Sequence, residues 1–309
     1  MLEGQRFDDL VSLCQGLVRT PSLSGGEGEL KKCEALQSYL GYDKISVDSY
    51  GNVLLHMNFS AGGRKLLFHS QMDHVDPGNP TEWSFYPYGG VITNKRLYGR
   101  GAADQKGALA AMIQAGAYLK EDLAGRLNGE LIIAAVVQQE MFGGCSSRAI
   151  ASLLAPNAVV AGEASDLNIV RGQRGRAKIL VKAFGRIAHS SYPERGINAA
   201  DIMLCGIASL RRRYIVPEDP FLGRGEYVLT GLYTTPPFSE KAIPDRCAAF
   251  FERRVLLKER REAILHDFTE ALKADFEENV RNSVDVSLAV SEGRCYTGAP
   301  LISEQFVSA

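Results

Sequence analysis

The sequence predicts an α/β fold in two parts: a helix-and-sheet domain whose sheet is largely buried, followed by a smaller β-α-β-β-α-β module. Three observations carry this. Up to Glu163 the chain alternates amphipathic helical patterns with short β-rich runs, as in an α/β domain. Polar and acidic residues fall at or just after the ends of several of those runs, where ligands collect in open α/β sheets. After Glu163 the order of elements changes to that of the split βαβ motif, a compact module in its own right.

In chain order, a helical pattern over about residues 5–18 places acids and polar residues among apolar ones. That interrupts the apolar core a signal peptide would need. Further helical patterns cover about 26–41 and 105–121. The runs KISVDSY, NVLLHMN, KLLFHSQMD, GELIIAAVV and NAVVAGE read as strands, being short, apolar and rich in β-branched residues. In the second part RAKILVKAFGR reads as a strand, GINAADIMLCGIASLRRRY as a helix, EYVLTGLYTT and RCAAFFERRV as strands, about 256–276 as a charged helix and SVDVSLAV as a last strand. The domains are accordingly placed at 1–169 and 170–290, with 291–309 as a short return segment to the first. A chain of 309 residues exceeds the usual single-domain length, in keeping with two domains.

Composition excludes several classes. A formal net charge of -1 gives no general pull toward nucleic acid or anionic membrane. No run approaches the roughly 18 apolar residues that span a bilayer. The six cysteines are far apart and form no CxxC pair, which argues against a cysteine zinc site and a disulfide scaffold. A reducing, cytoplasmic setting is the expectation.

The chemistry-bearing residues lie at the strand ends. LLFHSQMDHVDPGN sets His69, Gln71 and Asp73 on one strand face by its period of two,. His69 and His74 flank Gln71 and are candidates to substitute for a ligand there, the plain alternative being a buried His69 and a solvated His74. LYGRGAADQKGALAAM delivers Asp104 from a glycine-rich turn just before a helix; an isolated Asp there would read as an N-cap, and the GRGxxDxKG pattern outweighs that. VVQQEMFGG follows a strand and pairs Gln139 with Glu140. Two adjacent acids at such a place serve a metal hydrolase as general base and ligand; an amide accepts a hydrogen bond from water but not its proton. Glu163 ends another strand, as a ligand or as an ordinary surface acid. His189, in the polar loop AHSSYPERGINAA, suits carbonyl or anion stabilisation or is simply solvent-exposed. Arg171, Arg174, Arg176 and Arg195 stand near the domain junction, as carboxylate binders or solvated surface groups.

Through QMDHVDPGN, GRGAADQKG, VVQQE, RGQRGR and PERGINA the chain resembles, over nearly its whole length, the di-zinc amidohydrolase and peptidase family of aminoacylase, acetylornithine deacetylase, succinyl-diaminopimelate desuccinylase and carboxypeptidase G. Within it the chain looks most similar to a subgroup of hydrolases associated with selenium metabolism. The resemblance implies a catalytic α/β domain with a central mixed sheet, interrupted by a smaller α+β lid and dimerisation domain. It implies two zinc ions, a small-molecule amide substrate and a homodimer formed through the lid. By position, Asp104 matches the carboxylate bridging the metals, Glu140 and Glu163 match one ligand on each, and Asp73 matches the acid beside the first histidine ligand. His189 matches the lid histidine that reaches the partner subunit's site.

Three departures set the expectation for activity. Gln71 stands in place of the first histidine ligand, Gln139 in place of the general-base glutamate, and the chain ends at Ala309, about where family chains continue into the segment with the second histidine ligand. What remains at the metal positions is an all-oxygen set better matched to magnesium, calcium or manganese than to zinc. The expectation is therefore weak or altered divalent binding, or none, and at least one carboxylate of the cluster raised in pKa by its neighbours. Hydrolysis of an amide bond, a catalytically impaired relative that binds ligand or pairs through its lid, and an interrupted gene product all remain open on sequence grounds.

Overall fold

A computed structural model describes residues 4–302, except 27, 29, 30, 32–35, 37–40, 61, 124, 143, 171, 238–240, 292, 293, 296, 299 and 300. The chain divides into two compact units, 1–168 and 169–309.

The first unit opens with helix α1 (Gln5–Arg19), followed by strands β1 (Lys44–Val47), β2 (Val53–Asn58) and β3 (Lys65–Gln71). The helix expected over 26–41 falls largely outside the described residues. A hairpin of β4 (Val91–Thr93) and β5 (Arg96–Tyr98), which sequence reading passed over, precedes helix α2 (Gly107–Leu123). Strand β6 (Glu130–Val136), helices α3 (Gln139–Phe142) and α4 (Cys145–Leu154) and strand β7 (Ala158–Ala161) complete the unit. The sheet runs β1-β2-β6-β3-β7. Its first two pairings are antiparallel and its last two parallel, so it is a mixed sheet, as expected.

Strand β6 explains why the sheet is central. In ELIIAAV every residue after Glu130 is buried, the mark of a strand covered on both faces. Leu131, Ile133 and Ala135 join one apolar cluster with Leu17 of α1 and Leu109 and Ile113 of α2. Ile132, Ala134 and Val136 face the other way, onto Ile150 and Leu154 of α4. Helices on both faces leave the carboxyl ends of β3, β6 and β7 as the place where polar side chains gather.

The second unit contains the split βαβ module. Its strands are β8 (Gly172–Gln173), β9 (Gly175–Phe184), β10 (Ala188–His189), β11 (Glu218–Asp219), β12 (Gly223–Arg224), β13 (Tyr227–Thr235), β14 (Ala242–Ile243), β15 (Arg246–Val255) and β16 (Val284–Leu288), with helices α5 (Ala199–Arg213), α6 (Arg261–Lys273) and α7 (Glu278–Arg281). The main sheet is antiparallel in the order β13-β15-β9-β16. Alternation in β9 buries Ala177, Ile179, Val181 and Ala183, which pack with Met203, Ile207 and Leu210 of α5 and Phe268 and Leu272 of α6. At Gly206 a Cβ would come within 3.1 Å of Leu272 Cδ2 and 3.0 Å of Phe276 Cζ, so the two helices meet closely there. Beneath this layer Arg253 is fully buried; its Nη2 donates to Glu259 Oε1 at 2.6 Å and its Nε to the Tyr214 hydroxyl at 3.2 Å.

Of the expected return segment, residues 297–298 pair with β9 and 301–302 with β8. A return of 291–309 to the first domain stays a proposal. Among the described residues no helix is long and apolar enough to cross a membrane.

Candidate active site

The glycine-rich turn before α2 exists for steric reasons. Gly101 adopts φ 76°, a left-handed conformation that side chains disfavour, and a Cβ on Gly99 would lie 2.3 Å from Val18 Cγ1. The turn packs on α1 and swings the chain so that Asp104 (φ -120°, ψ 90°) leaves helical geometry before α2 begins at Gly107. The Asp104–Gln105 peptide is cis. Helix α2 thus begins two residues later than the pattern suggests, and Asp104 belongs to the turn.

Asp104 is brought close enough to Asp73 and Glu163 for their charges to matter. Partial desolvation, then the Asp73 carboxylate, pushes the Asp104 carboxyl above its usual 3.8. Partial desolvation, then Asp104, pushes Glu163 above 4.5, against a backbone hydrogen bond from Ala164. This is the mutual repulsion expected of the cluster. Both residues keep substantial solvent contact, so water screens the repulsion.

Asp73 is fully buried. Its Oδ2 accepts the Glu140 backbone N–H at 2.9 Å, anchoring the start of α3 just after β6. Its Oδ1 is buried with no hydrogen-bond partner among the described residues. Gln71, at the end of β3, is held at both ends of its amide: Nε2 donates to Glu140 Oε1 at 2.7 Å, and Oε1 accepts from Gln105 Nε2 at 3.4 Å. Gln105 Oε1 in turn accepts from the Ser70 hydroxyl at 3.0 Å. Gln71 is therefore a hydrogen-bond spacer that binds a carboxylate.

Gln139 is oriented by a second chain of bonds. The Ser147 hydroxyl donates to Gln139 Oε1 at 2.9 Å and lies 2.7 Å from His69 Nε2. Since the hydroxyl has one proton to give, His69 Nε2–H must be the donor to it. Burial pushes the His69 imidazole below 6.5, which keeps it neutral. The amide oxygen of Gln139 is thus occupied.

Neither flanking histidine takes over the ligand role. His69 Nε2 is committed to Ser147. His74, whose alternative reading was a solvated side chain, is 1% exposed. Its Nε2 accepts the Ser22 N–H at 2.9 Å and its Nδ1 faces the Val75 carbonyl at 2.8 Å, so it stitches residues 22–24 to the end of β3. The burial comes from a segment fifty residues away that strand periodicity cannot reveal.

A cavity of about 190 Å³ opens at this cluster, lined by His74, Arg100, Asp104 and Glu140 among others. Ser147 and Gln105 carried no sequence signal as site residues, and Arg100 stands in the GRGxxDxKG pattern without a role assigned to it. The contacts of Ser147 and Gln105 cross 8 to 78 positions, and no local spacing encodes them.

His189 lies in the second unit, on β10 opposite Ala242 of β14. It is exposed, and its Nδ1 accepts the Ser191 N–H at 3.2 Å, which puts the proton of the neutral ring on Nε2. Of the junction arginines, Arg174 donates to the Arg224 carbonyl at 2.7 Å, Arg176 pairs with Glu252 at 2.8 Å and Arg195 lies over Tyr192 at 4.9 Å. Arg171 is outside the described residues.

The residues present do not fit a zinc pair. An amide already bonded to Glu140 is a poor zinc ligand. Among the described residues, no group of three or more His, Cys, Asp or Glu side chains is arranged to hold a metal ion.

Comparison with known proteins places the chain. A family pattern described as a peptidase dimerisation domain matches residues 171–280. The chain is 33% identical over 265 residues to the uncharacterised protein YgeY of Escherichia coli (strain K12), covering 84% of this chain and 64% of that protein. It is 29% identical over 219 residues to acetylornithine deacetylase of Edwardsiella ictaluri, covering 66% of this chain and 56% of the relative. The chain thus spans less than two thirds of the length of these relatives. The same fold is found in the dipeptidase Dug1p of Saccharomyces cerevisiae (TM-score 0.74, 14% identity, 98% of this chain and 80% of that one). It also occurs in the metallo-carboxypeptidase Sso-CP2 of Sulfolobus solfataricus (TM-score 0.70, 17% identity, 96% and 79%). With its mixed sheet, its split βαβ module and these relatives, the chain belongs to the M20 peptidase family.

Proposed function

We propose that this site binds a small amide-bearing ligand, a peptide or an N-acyl amino acid, and as encoded hydrolyses it at a much reduced rate or not at all. The observation that supports this most directly is the Gln71 amide donating to Glu140 Oε1 at 2.7 Å: it fills the first ligand position with a neutral donor and occupies a carboxylate oxygen that a metal would need. Gln139 adds to it. Its oxygen is tied to Ser147, so it orients water or a ligand carbonyl through its NH2 and takes no proton. Absence of a positioned general base alone lowers rate by about 10²- to 10⁴-fold. Because no three His, Cys, Asp or Glu side chains among the described residues are arranged to hold a metal ion, any divalent ion that binds beside Asp104, Glu140 and Glu163 is held weakly, by fewer protein oxygens than a tight site needs, and is a hard cation rather than zinc. His189, with its proton on Nε2, is the donor suited to a polarised carbonyl oxygen. Homodimerisation through residues 171–280 completes the proposal; β13 is a sheet edge with Val228, Leu232 and Tyr233 exposed.

A second reading, a working metal-dependent hydrolase, is favoured by one observation: the raised carboxyls of Asp104 and Glu163 mark a cluster whose repulsion a cation would relieve. Metal analysis of the purified protein, with hydrolysis of N-acetyl amino acids and dipeptides in added zinc, manganese or cobalt, separates the two. The proposal expects no tightly held metal, little turnover, and tighter zinc binding once Gln71→His and Gln139→Glu are combined. Two tightly bound zinc ions with turnover in the unaltered protein would refute it.

A further inference from the structure

Helices α5 and α6 pack on one face of the main sheet of the second unit, the face of Ala177, Ile179, Val181 and Ala183. Strand periodicity turns the alternate residues to the other face, and no core cluster among the described residues includes them. The register there sets Phe184 beside Arg246, and Lys182 and Tyr233 on either side of Ala248, so rings and cations are interleaved. Lys178 Nζ lies 5.0 Å from the centroid of the Phe250 ring, which the Tyr233 ring meets edge-on at 6.2 Å. Tyr233 is 62% exposed and Phe184 39%; Lys182, Arg246 and Arg254 are exposed as well. The four strands place five basic side chains on this face against two acidic ones, Glu252 and Asp285. Glu252 is already paired, with Arg176 at 2.8 Å and with Arg254 at 2.8 Å, which leaves the face net basic.

We propose that this open sheet face binds single-stranded nucleic acid, with phosphates on Lys182, Arg246 and Lys178 and bases against Phe184, Tyr233 and Phe250. Charge complementarity selects the occupant: a net basic face attracts a polyanion, whereas the same face of a second copy would meet it with like charge. Extension of the sheet at β13 by a second copy leaves the face open. Exposed rings favour a polyanion that carries flat groups of its own, since every base has a π-face to stack and an acidic peptide has none. A duplex keeps its bases stacked within the helix, so the rings reach only unpaired ones. The whole chain, at a net charge of -1, exerts no general pull; the attraction is local to this face and weakens with salt. Neither the acidic cluster of the first unit nor its ligand takes part.

The test is fluorescence anisotropy of dye-labelled oligouridine and oligothymidine, about 12 nucleotides long, titrated with the whole protein in chelator at several salt concentrations. Both should bind, with log K falling linearly in log salt. Lys182→Gln should reduce that slope by about 0.7, the share of one phosphate contact on a single strand. Phe184→Ala and Tyr233→Ala should each weaken binding by about tenfold, the worth of one stacked base, with the slope unchanged. Arg261→Gln, which removes an exposed charge at the start of α6 on the helical side, should alter neither. Thermal unfolding shows that each variant is folded. No binding at low salt would overturn the proposal, as would an Arg261→Gln effect as large as that of Lys182→Gln, or full affinity in folded Phe184→Ala and Tyr233→Ala proteins. Polyglutamate or duplex DNA binding as tightly as the single strands would reveal a surface that attracts anions without stacking bases, and would overturn it too.

Discussion

Replacing Asp73 by asparagine probes how the acidic cluster is built. Asp73 is fully buried, with one oxygen on the Glu140 N–H at 2.9 Å and the other without a partner. Asp73→Asn keeps an acceptor for that N–H and removes a charge, so stability at neutral pH should change by no more than about 1 kcal/mol. Asp73→Ala strips the acceptor and leaves the Glu140 N–H unpaired, which costs about 1–3 kcal/mol. The electrostatic consequence is separate. The Asp73 charge is the named push on Asp104, so Asp73→Asn should lower the Asp104 pKa toward 3.8, followed by carboxyl carbon NMR. The sign with pH follows from linkage. Asp104 and Glu163 have folded pKa values raised above 3.8 and 4.5, so the folded state holds more protons. Metal-free stability should therefore fall as pH rises from those values through the raised ones. Asp73→Asn should flatten that fall. Urea unfolding from pH 3.5 to 7 reads both effects. An asparagine variant as unstable as the alanine one, or an unmoved Asp104 titration, would refute this account.

Two further predictions concern the second unit. Glu259→Gln leaves the Arg253 guanidinium, 0% exposed, without its carboxylate and should cost about 3–5 kcal/mol in urea unfolding; a loss under about 1 kcal/mol would show that water reaches Arg253. Gly206→Val drives a branched side chain against Leu272 and Phe276 at the α5–α6 crossing and should destabilise by about 1–3 kcal/mol, read as a lowered Tm.

Much of the fold was legible because its signals are local. The apolar run LIIAAVV announces a strand buried on both faces, the alternation in RAKILVKAF a strand with one buried face, and each pattern follows from the period of the element that carries it. The strands of both sheets fall where the sequence reading put them. Helix α4 was missed, since SSRAIASLL is short and rich in serine. The positions of Asp73, Asp104, Glu140 and Glu163 at strand ends and turns were legible for the same local reason, and so was the substitution of glutamine at 71 and 139.

What those glutamines do was decided by tertiary structure. Sequence fixes that an amide occupies each position, and with it that neither can take a proton. Only the folded chain brings Glu140 onto Gln71, Ser147 and His69 onto Gln139, and Ser22 onto His74. These are contacts between residues close in space and distant along the chain. Hydrogen bonds of that kind depend on where the sheet carries its strand ends, and no periodicity in the sequence records it.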